Sequence, residues 1–202
     1  HERPGVYSSY DASSVVSARA AAKIVGAAAI AAKGTANSVE TLTSYEEGKE
    51  LFGEDAEGAN GMSALLRVLF ANGTGTVKAV AVGKDKNGAA DYTSAFAALE
   101  EEESVSIVVC DSTETAVHQS LKTSVENASK LRRERIAIVG GANETTAQMV
   151  SHAKAVNSER VTLVGSDIVL TDGTALSAAF GAAAVAGVIA AGNDPSVPVN
   201  GA

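Results

Sequence analysis

The amino-acid sequence predicts an α/β fold, a largely parallel sheet flanked by helices on both faces, behind an extended N-terminal arm. Two observations carry that prediction. Apolar, β-branched runs at 105–110, 135–140 and 160–165 begin about 30 and 25 residues apart, and helical periodicity fills each gap. Strand, helix and strand at that spacing form the βαβ unit, whose crossovers impose parallel pairing. Right-handed crossovers then place helices on both faces of one sheet. The second observation is bulk composition: 46% of the 202 residues are hydrophobic and 20% are charged. A chain of that size and apolarity buries a core of its own and is not intrinsically disordered.

Each element has a local reason. Residues 1–14 are polar, hold Pro4 and Gly5 and show no helical period; they read as the arm, and 15–202 as the body. Residues 23–33, KIVGAAAIAAK, predict a strand buried on both faces. Ser44 with Glu47 three residues later predicts a capping box, opening a short helix through Phe52 that Gly53 ends. Met62, Leu65, Leu66, Leu69 and Phe70 recur at three and four, an amphipathic helix stopped by Asn72-Gly73. A strand at 76–82, a turn at 84–88 and a helix from about 89 to 100 follow. The helix after 105–110 carries Val117, Leu121, Val125 and Ala128 on one stripe, and another runs from about Glu144 to Val156. Residues 168–170 and Thr174 flank a Thr171-Asp172-Gly173 turn, a hairpin signal. The small-residue helix at 176–191 is apolar all round and hence buried, and Pro195 and Pro198 cannot continue it.

Composition also excludes functions. A formal net charge of −8 argues against a surface built to neutralise nucleic-acid phosphates. No apolar run is long and hydrophobic enough to predict a membrane span. The single cysteine, Cys110, excludes an intramolecular disulfide framework and most multi-thiolate metal sites. The chain opens on His1 without a secretory leader, which predicts a processed product or fragment of a protein made inside the cell. The 39 Ala and 19 Gly, against 4% aromatic residues, predict a core that buries little area per side chain. Such a body gains from burying further surface in an assembly.

Ligands of open α/β sheets sit beyond the carboxyl ends of the strands. Here those ends place Asp111, Asn143 and Asp167 where they could frame a small-molecule or hydrolytic site. The plainer reading is that Asp111 to Thr113 and Asn143 cap the helices that follow. The IVGGAN run lacks the residues of a phosphate loop. Cys110 with His118 or His152 would make a nucleophile and base, yet no family signature surrounds them. Cys110 reads as a small buried hydrophobe, and both histidines, among polar neighbours, read as solvated surface residues. His1, His118 and His152 lack metal-ligand spacing, so neither a metal nor a cofactor is expected. Glu100, Glu101, Glu102 and Glu103 crowd a predicted helix C-terminus, where the macrodipole disfavours them. Arg132, Arg133 and Arg135 form the one dense basic cluster. Solvated faces are the plain reading; the alternative is complementary patches that set register between neighbouring copies.

The order of short motifs resembles the contractile-tail sheath proteins of bacteriophages, including prophage tails and contractile bacteriocins. Arg3-Pro4-Gly5-Val6-Tyr7 is similar to the element that opens those proteins, and residues 23–34 are similar to the strand after it. Residues 41–53 resemble the family's helix ending in Phe-Gly; 135–141, 160–165 and 182–195 resemble its later landmarks. Each motif is weak alone, but their order through the whole chain is specific. By the same resemblance the chain is the body of a subunit without its C-terminal domain, and the body is subtilisin-like. Asp172 to Phe180 is similar to the entry to the nucleophile helix of those proteases, with Ala175 at the position of the serine. Alanine has no hydroxyl to activate, Ser177 is displaced along the helix, and no His/Asp pair appears in the required order.

The resemblance therefore implies a structural, non-enzymatic sheath subunit, with no catalytic residues. Its partners would be other sheath subunits, an inner tail tube and baseplate proteins, with no nucleic acid and no membrane insertion. Its location would be the virion tail, assembled in the bacterial host cytoplasm. Arg3 to Tyr7 would form an assembly arm that adds a strand to a neighbour. The rival is the small-molecule-binding or hydrolytic domain built on Asp111, Asn143 and Asp167. An adaptor or chaperone-like module stays open on composition.

Overall fold

Apolar residues alternate along the parallel strands so that each strand has two buried sides, and the helices divide between those sides. The computed structural model describes residues 23–55, 61–142, 144–165, 168–169 and 175–192. The arm expected at 1–14, Asn143, Asp167 and the 171–173 turn lie outside the described residues. The elements are β1 (Ile24–Ala29), β2 (Val39–Leu42), α1 (Tyr45–Phe52), α2 (Met62–Ala71) and β3 (Val77–Ala81). A two-residue hairpin, β4 (Gly83–Lys84) and β5 (Ala90–Asp91), leads into α3 (Tyr92–Glu100). Then come β6 (Val105–Cys110), α4 (Thr115–Lys130), β7 (Ile136–Gly140), α5 (Thr146–Val156) and β8 (Val161–Val164). The antiparallel pair β9 (Ile168–Val169) and β10 (Ala175–Leu176) precedes α6 (Ala178–Ala191).

The main sheet has the order β2-β3-β1-β6-β7-β8; β2 is antiparallel to β3 and the other neighbours are parallel. From β1 the chain crosses to β3 on one side, then returns past β1 to β6, β7 and β8 on the other. Right-handed crossovers in opposite directions put their helices on opposite faces. One layer accordingly packs α2 and α6 on Val25, Ala27, Ala29, Ile107, Val109 and Ile138. The other packs α3 and α4 on Ala28, Val80, Val108, Cys110, Ala137 and Val139. Period-two alternation along β1, β6 and β7 thus supplies both cores.

Local chemistry explains most boundaries. The Ser44 hydroxyl accepts from Glu47 N, and the Glu47 carboxylate accepts from Thr43 N at 2.7 Å, one residue before the cap. Gly53 closes α1 at φ 78, a conformation that favours glycine. The helix expected from 89 starts at Tyr92, because Asp85 accepts from Asn87 N and Ala89 N to make the hairpin turn. Asp91 then caps α3 by accepting from Ser94 N. Thr145 and Gln148 form a full capping box on α5. Strand β2, VETL, is too short and too polar to show a period, and its pairing with β3 creates it.

The α6 helix lies at backbone distance from the sheet. A Cβ on Gly140, at the end of β7, would stand 2.0 Å from Ala178 C and 2.1 Å from Ala179 N. One on Gly187 would stand 2.7 Å from Asn72 Cβ and 3.0 Å from Leu69 O of α2. Gly140→Ala should therefore displace the helix start and cost about 3 kcal/mol, the upper end of overpacking penalties. Gly75→Ala, where a Cβ meets nothing within 4 Å, should stay within about 0.5 kcal/mol of the parent. Urea midpoints of the two variants check the contrast.

Candidate functional site

The order reversal falls where β1 and β6 lie side by side, and a crevice beyond the carboxyl ends of these strands is where open α/β sheets bind ligands. Among the described residues, contacts within the chain cross this place. Asp111, just after β6, accepts from Ile30 N at 3.0 Å and from the Tyr92 hydroxyl at 2.7 Å. Ile30 O in turn accepts from Met62 N at the start of α2. The carboxylate therefore ties the end of β1 to α3, and burial pushes its pKa up to about 6. Of the three residues expected to frame a pocket, Asp111 makes structural contacts; Asn143 and Asp167 are outside the described residues. A shallow cavity of about 210 Å³ lies at the opposite end of the sheet, lined by Lys23, Ile107, Arg135, Ile136 and Ile189.

The histidines correct the sequence reading. His118 and His152 were expected on the surface, yet they are 0% and 4% exposed. His118 Nε2 is 2.9 Å from Ser112 O, and its Nδ1 is 2.9 Å from His152 Nε2. His152 Nδ1 is 2.9 Å from Glu144 Oε1. The rings stack with planes 14° apart. Burial pushes His118 down to about 4, so it is neutral at ordinary pH. The signal was present in the sequence: His118, Leu121, Val125 and Ala128 share the buried stripe of α4. This acid–imidazole–imidazole line ends on a carbonyl oxygen, which has no proton to give, so it activates no nucleophile. Cys110 is fully buried, its thiol pointing to Ser112 O, and burial pushes its pKa up to about 12. Ser177 is the N-cap residue of α6 without a side-chain cap bond. Among the described residues no group of His, Cys, Asp and Glu is arranged to hold a metal ion, and no helix is long and apolar enough to cross a membrane.

The acidic run and the arginines meet inside the chain. Arg135, 2% exposed, donates from Nη1 to Leu99 O at 2.7 Å and from Nη2 to Glu102 O at 2.9 Å. Arg133 donates to Glu100 O at 2.9 Å and to Glu103 Oε1 at 3.2 Å. Glu102 also pairs with Lys78 of β3. Leu99 O also accepts from Glu102 N, and the two guanidinium groups add charged donors to the carbonyls at this end of α3 while offsetting the carboxylates at the negative helix end. Arg132 and Glu101 are exposed, and no ion pair holds them among the described residues.

Two buried groups make opposite pH contributions. Asp111, near 6 when folded and about 3.9 when unfolded, stabilises below about pH 4, and that contribution is lost as pH rises through 6. His118, near 4 when folded and about 6.5 when unfolded, stabilises above that value, and its contribution is lost as pH falls through 4. Asp111→Asn removes the first and leaves the second. Stability of the variant should therefore climb more steeply than the parent's from about pH 4 to 6.5. Urea midpoints across that range read the slopes.

Comparison with known proteins agrees with this geometry. Residues 85–201, more than half of the chain, match the family model for the phage tail sheath protein central domain. The fold is similar to the sheath tail protein of Desulfitobacterium hafniense, with TM-score 0.63 and 14% identity over 93% of this chain and 62% of that one. It is similar to the sheath tail protein of Listeria innocua, with TM-score 0.63 and 14% identity over 89% of this chain and 59% of that one. It is also similar to the contracted helical sheath of the anti-feeding prophage, with TM-score 0.58 and 20% identity over 94% and 52%. The chain thus spans less than two thirds of each of these structures. No curated protein matches. The chain belongs to the phage tail sheath protein family.

Proposed function

We propose that the chain is the body of a structural, non-enzymatic tail sheath subunit. Copies would stack around an inner tube, and their contraction would drive that tube through the target cell envelope. The observation that carries the reading is the match of residues 85–201 to the sheath central domain. The contacts at the switch point support it: at the ligand position of this topology Asp111 is engaged by Tyr92 and Ile30 of its own chain. Sheath neighbours, tube and baseplate proteins would be the partners. The setting would be a virion tail assembled in the host cytoplasm.

Residues 1–14, with Arg3, Pro4, Gly5, Val6 and Tyr7, would act as the arm that adds a strand to a neighbouring copy. Electrostatic contacts between copies would fall to Glu101 and Arg132, the exposed members of the charged runs that no ion pair holds among the described residues, since Arg133 and Arg135 serve the α3 end of their own chain. Among the described residues, the large exposed apolar side chains, Ile30, Leu51, Leu131, Ile136 and Val150, belong to different segments of the sequence.

The 202-residue chain should accordingly stay monomeric or weakly associated in sedimentation at micromolar concentration, while a longer sheath chain forms tubes visible by electron microscopy. Long, stable polymers of the 202-residue chain would place the assembly interfaces in the body. Failure of the longer chain to form any polymer would contradict the sheath reading.

A further inference from the structure

Helix α4 ends in a turn that glycine ordinarily closes, and an arginine closes it here. Arg132 N donates to Ser129 O at 2.9 Å and Arg133 N donates to Ala128 O at 3.0 Å, the paired bonds of a Schellman end. Arg132 takes the left-handed position of that motif, at φ 61. A side chain there carries strain that glycine avoids, so local preference does not account for the arginine. The turn also presents Leu131, at 65% the most exposed large apolar side chain among the described residues, with Lys130 and Arg132 exposed on either side of it. No ion pair holds either of these cations among the described residues, while Arg133 pairs with Glu103 and Glu134 with Arg160. The backbone bonds fix this knob, and Arg133 anchors it by donating to Glu100 O of α3.

The reverse pattern lies on α1. This helix exposes Glu46, Glu47, Glu50 and Leu51, the last of them 45% exposed, with Glu54 just beyond its end. Lys49, paired with Glu54, is its one cation, and Glu47 accepts from Thr43 N. Glu46 and Glu50 stand four residues apart, where like charges repel on a helix, and no ion pair holds them among the described residues.

We propose that the Leu131 knob of one copy seats on the α1 stripe of a second copy, with leucine against leucine and Lys130 and Arg132 facing Glu46 and Glu50. Within one chain the two surfaces lie apart. Helix α1 packs with α2 and β2 in one layer, and the knob ends α4 in the opposite layer, ahead of β7 on the far side of the sheet. Two copies set knob to knob would bring Arg132 against Arg132, which charge opposes. Knob on stripe answers the free charges of both surfaces in one contact. Because the two surfaces differ, the contact is head-to-tail, and its repetition gives a ring or an open helical array rather than a closed pair. On the sheath reading, on which this inference rests for its setting, the contact joins bodies and is separate from the arm. It is small, so it is weak between free chains and adds up where copies are already held together.

Cysteine trapping between two chains of different mass reads the contact directly. One 202-residue chain carries Leu131→Cys and the other Leu51→Cys, with oxidised glutathione as oxidant; Cys110 is fully buried and takes no part. All the charges stay in place. The mixed disulfide should form about tenfold faster than either self-pair, because the self-pairs set like charges together. The excess should fade as ionic strength rises from about 0.01 to 0.15 M and the screening length drops from about 30 to about 8 Å. Adding Lys130→Glu and Arg132→Glu to the first chain should remove the excess, and adding Glu46→Lys and Glu50→Lys to the second should restore it. The sheath reading is tested apart from this, by whether the longer chain forms tubes. A mixture no faster than the self-pairs would overturn the proposal, and rapid self-linking of the Leu131→Cys chain would instead set a second knob there, with Arg132 on Glu101. Should a charge-reversed chain not fold, the salt series decides, and an excess that salt leaves unchanged would overturn the pairing.

Discussion

The approach of α6 to the sheet at backbone distance is the constraint on which the rest of the structure depends. The helix is mostly Ala and Gly, with Phe180, Val185, Val188 and Ile189 as its larger residues, so along most of its length it has no long side chains to bridge a gap. Its stabilisation comes from many short contacts with β7, β6 and α2, and a separation of even half an ångström forfeits a large part of each. Gly140 makes the contact with Ala178 sterically allowed, and Gly187 does the same against α2. The alanine richness that lowers the area buried per side chain is thus what lets the layers close up.

The polar contacts act in the same direction. Asp111 fastens the end of β1 to α3 at the switch point, and Arg135 and Arg133 fasten the other end of α3 to the segment entering β7. Both use buried or half-buried groups in contacts distant in sequence, and the first lies at the carboxyl end of the strands, where an α/β enzyme would leave room for a ligand. A body braced at both ends of the sheet is suited to move as a unit. Rigid-body rearrangement of subunits about their interfaces is one of the basic ways assemblies change state.

Much of this was legible in the sequence, for stated reasons. Strand β6 was expected at the residues where it occurs, because its apolar run is bounded on both sides by polar segments. Helices α1 and α2 follow from a cap at Ser44, a stop at Gly53 and spacings of three and four from Met62 to Phe70. Strand β2 was not legible, since four residues with two polar members have no identity until β3 pairs with them. His118 was misplaced because its neighbours along the chain are polar, although the residues three, seven and ten positions on are buried with it. The conflict between four glutamates and the negative end of α3 was visible, and its resolution was not. The arginines that answer it lie more than 30 positions away and meet α3 only once β7 is beside β6.

Native-state hydrogen exchange of α6 tests the central claim, that its packing and the sheet form one rigid unit. The amides of Ala182, Ala186 and Ala190 should exchange only by global unfolding, with the same denaturant dependence as those of β1 and β6. Exchange of these amides through a smaller opening, at low denaturant and with β1 and β6 still protected, would contradict it.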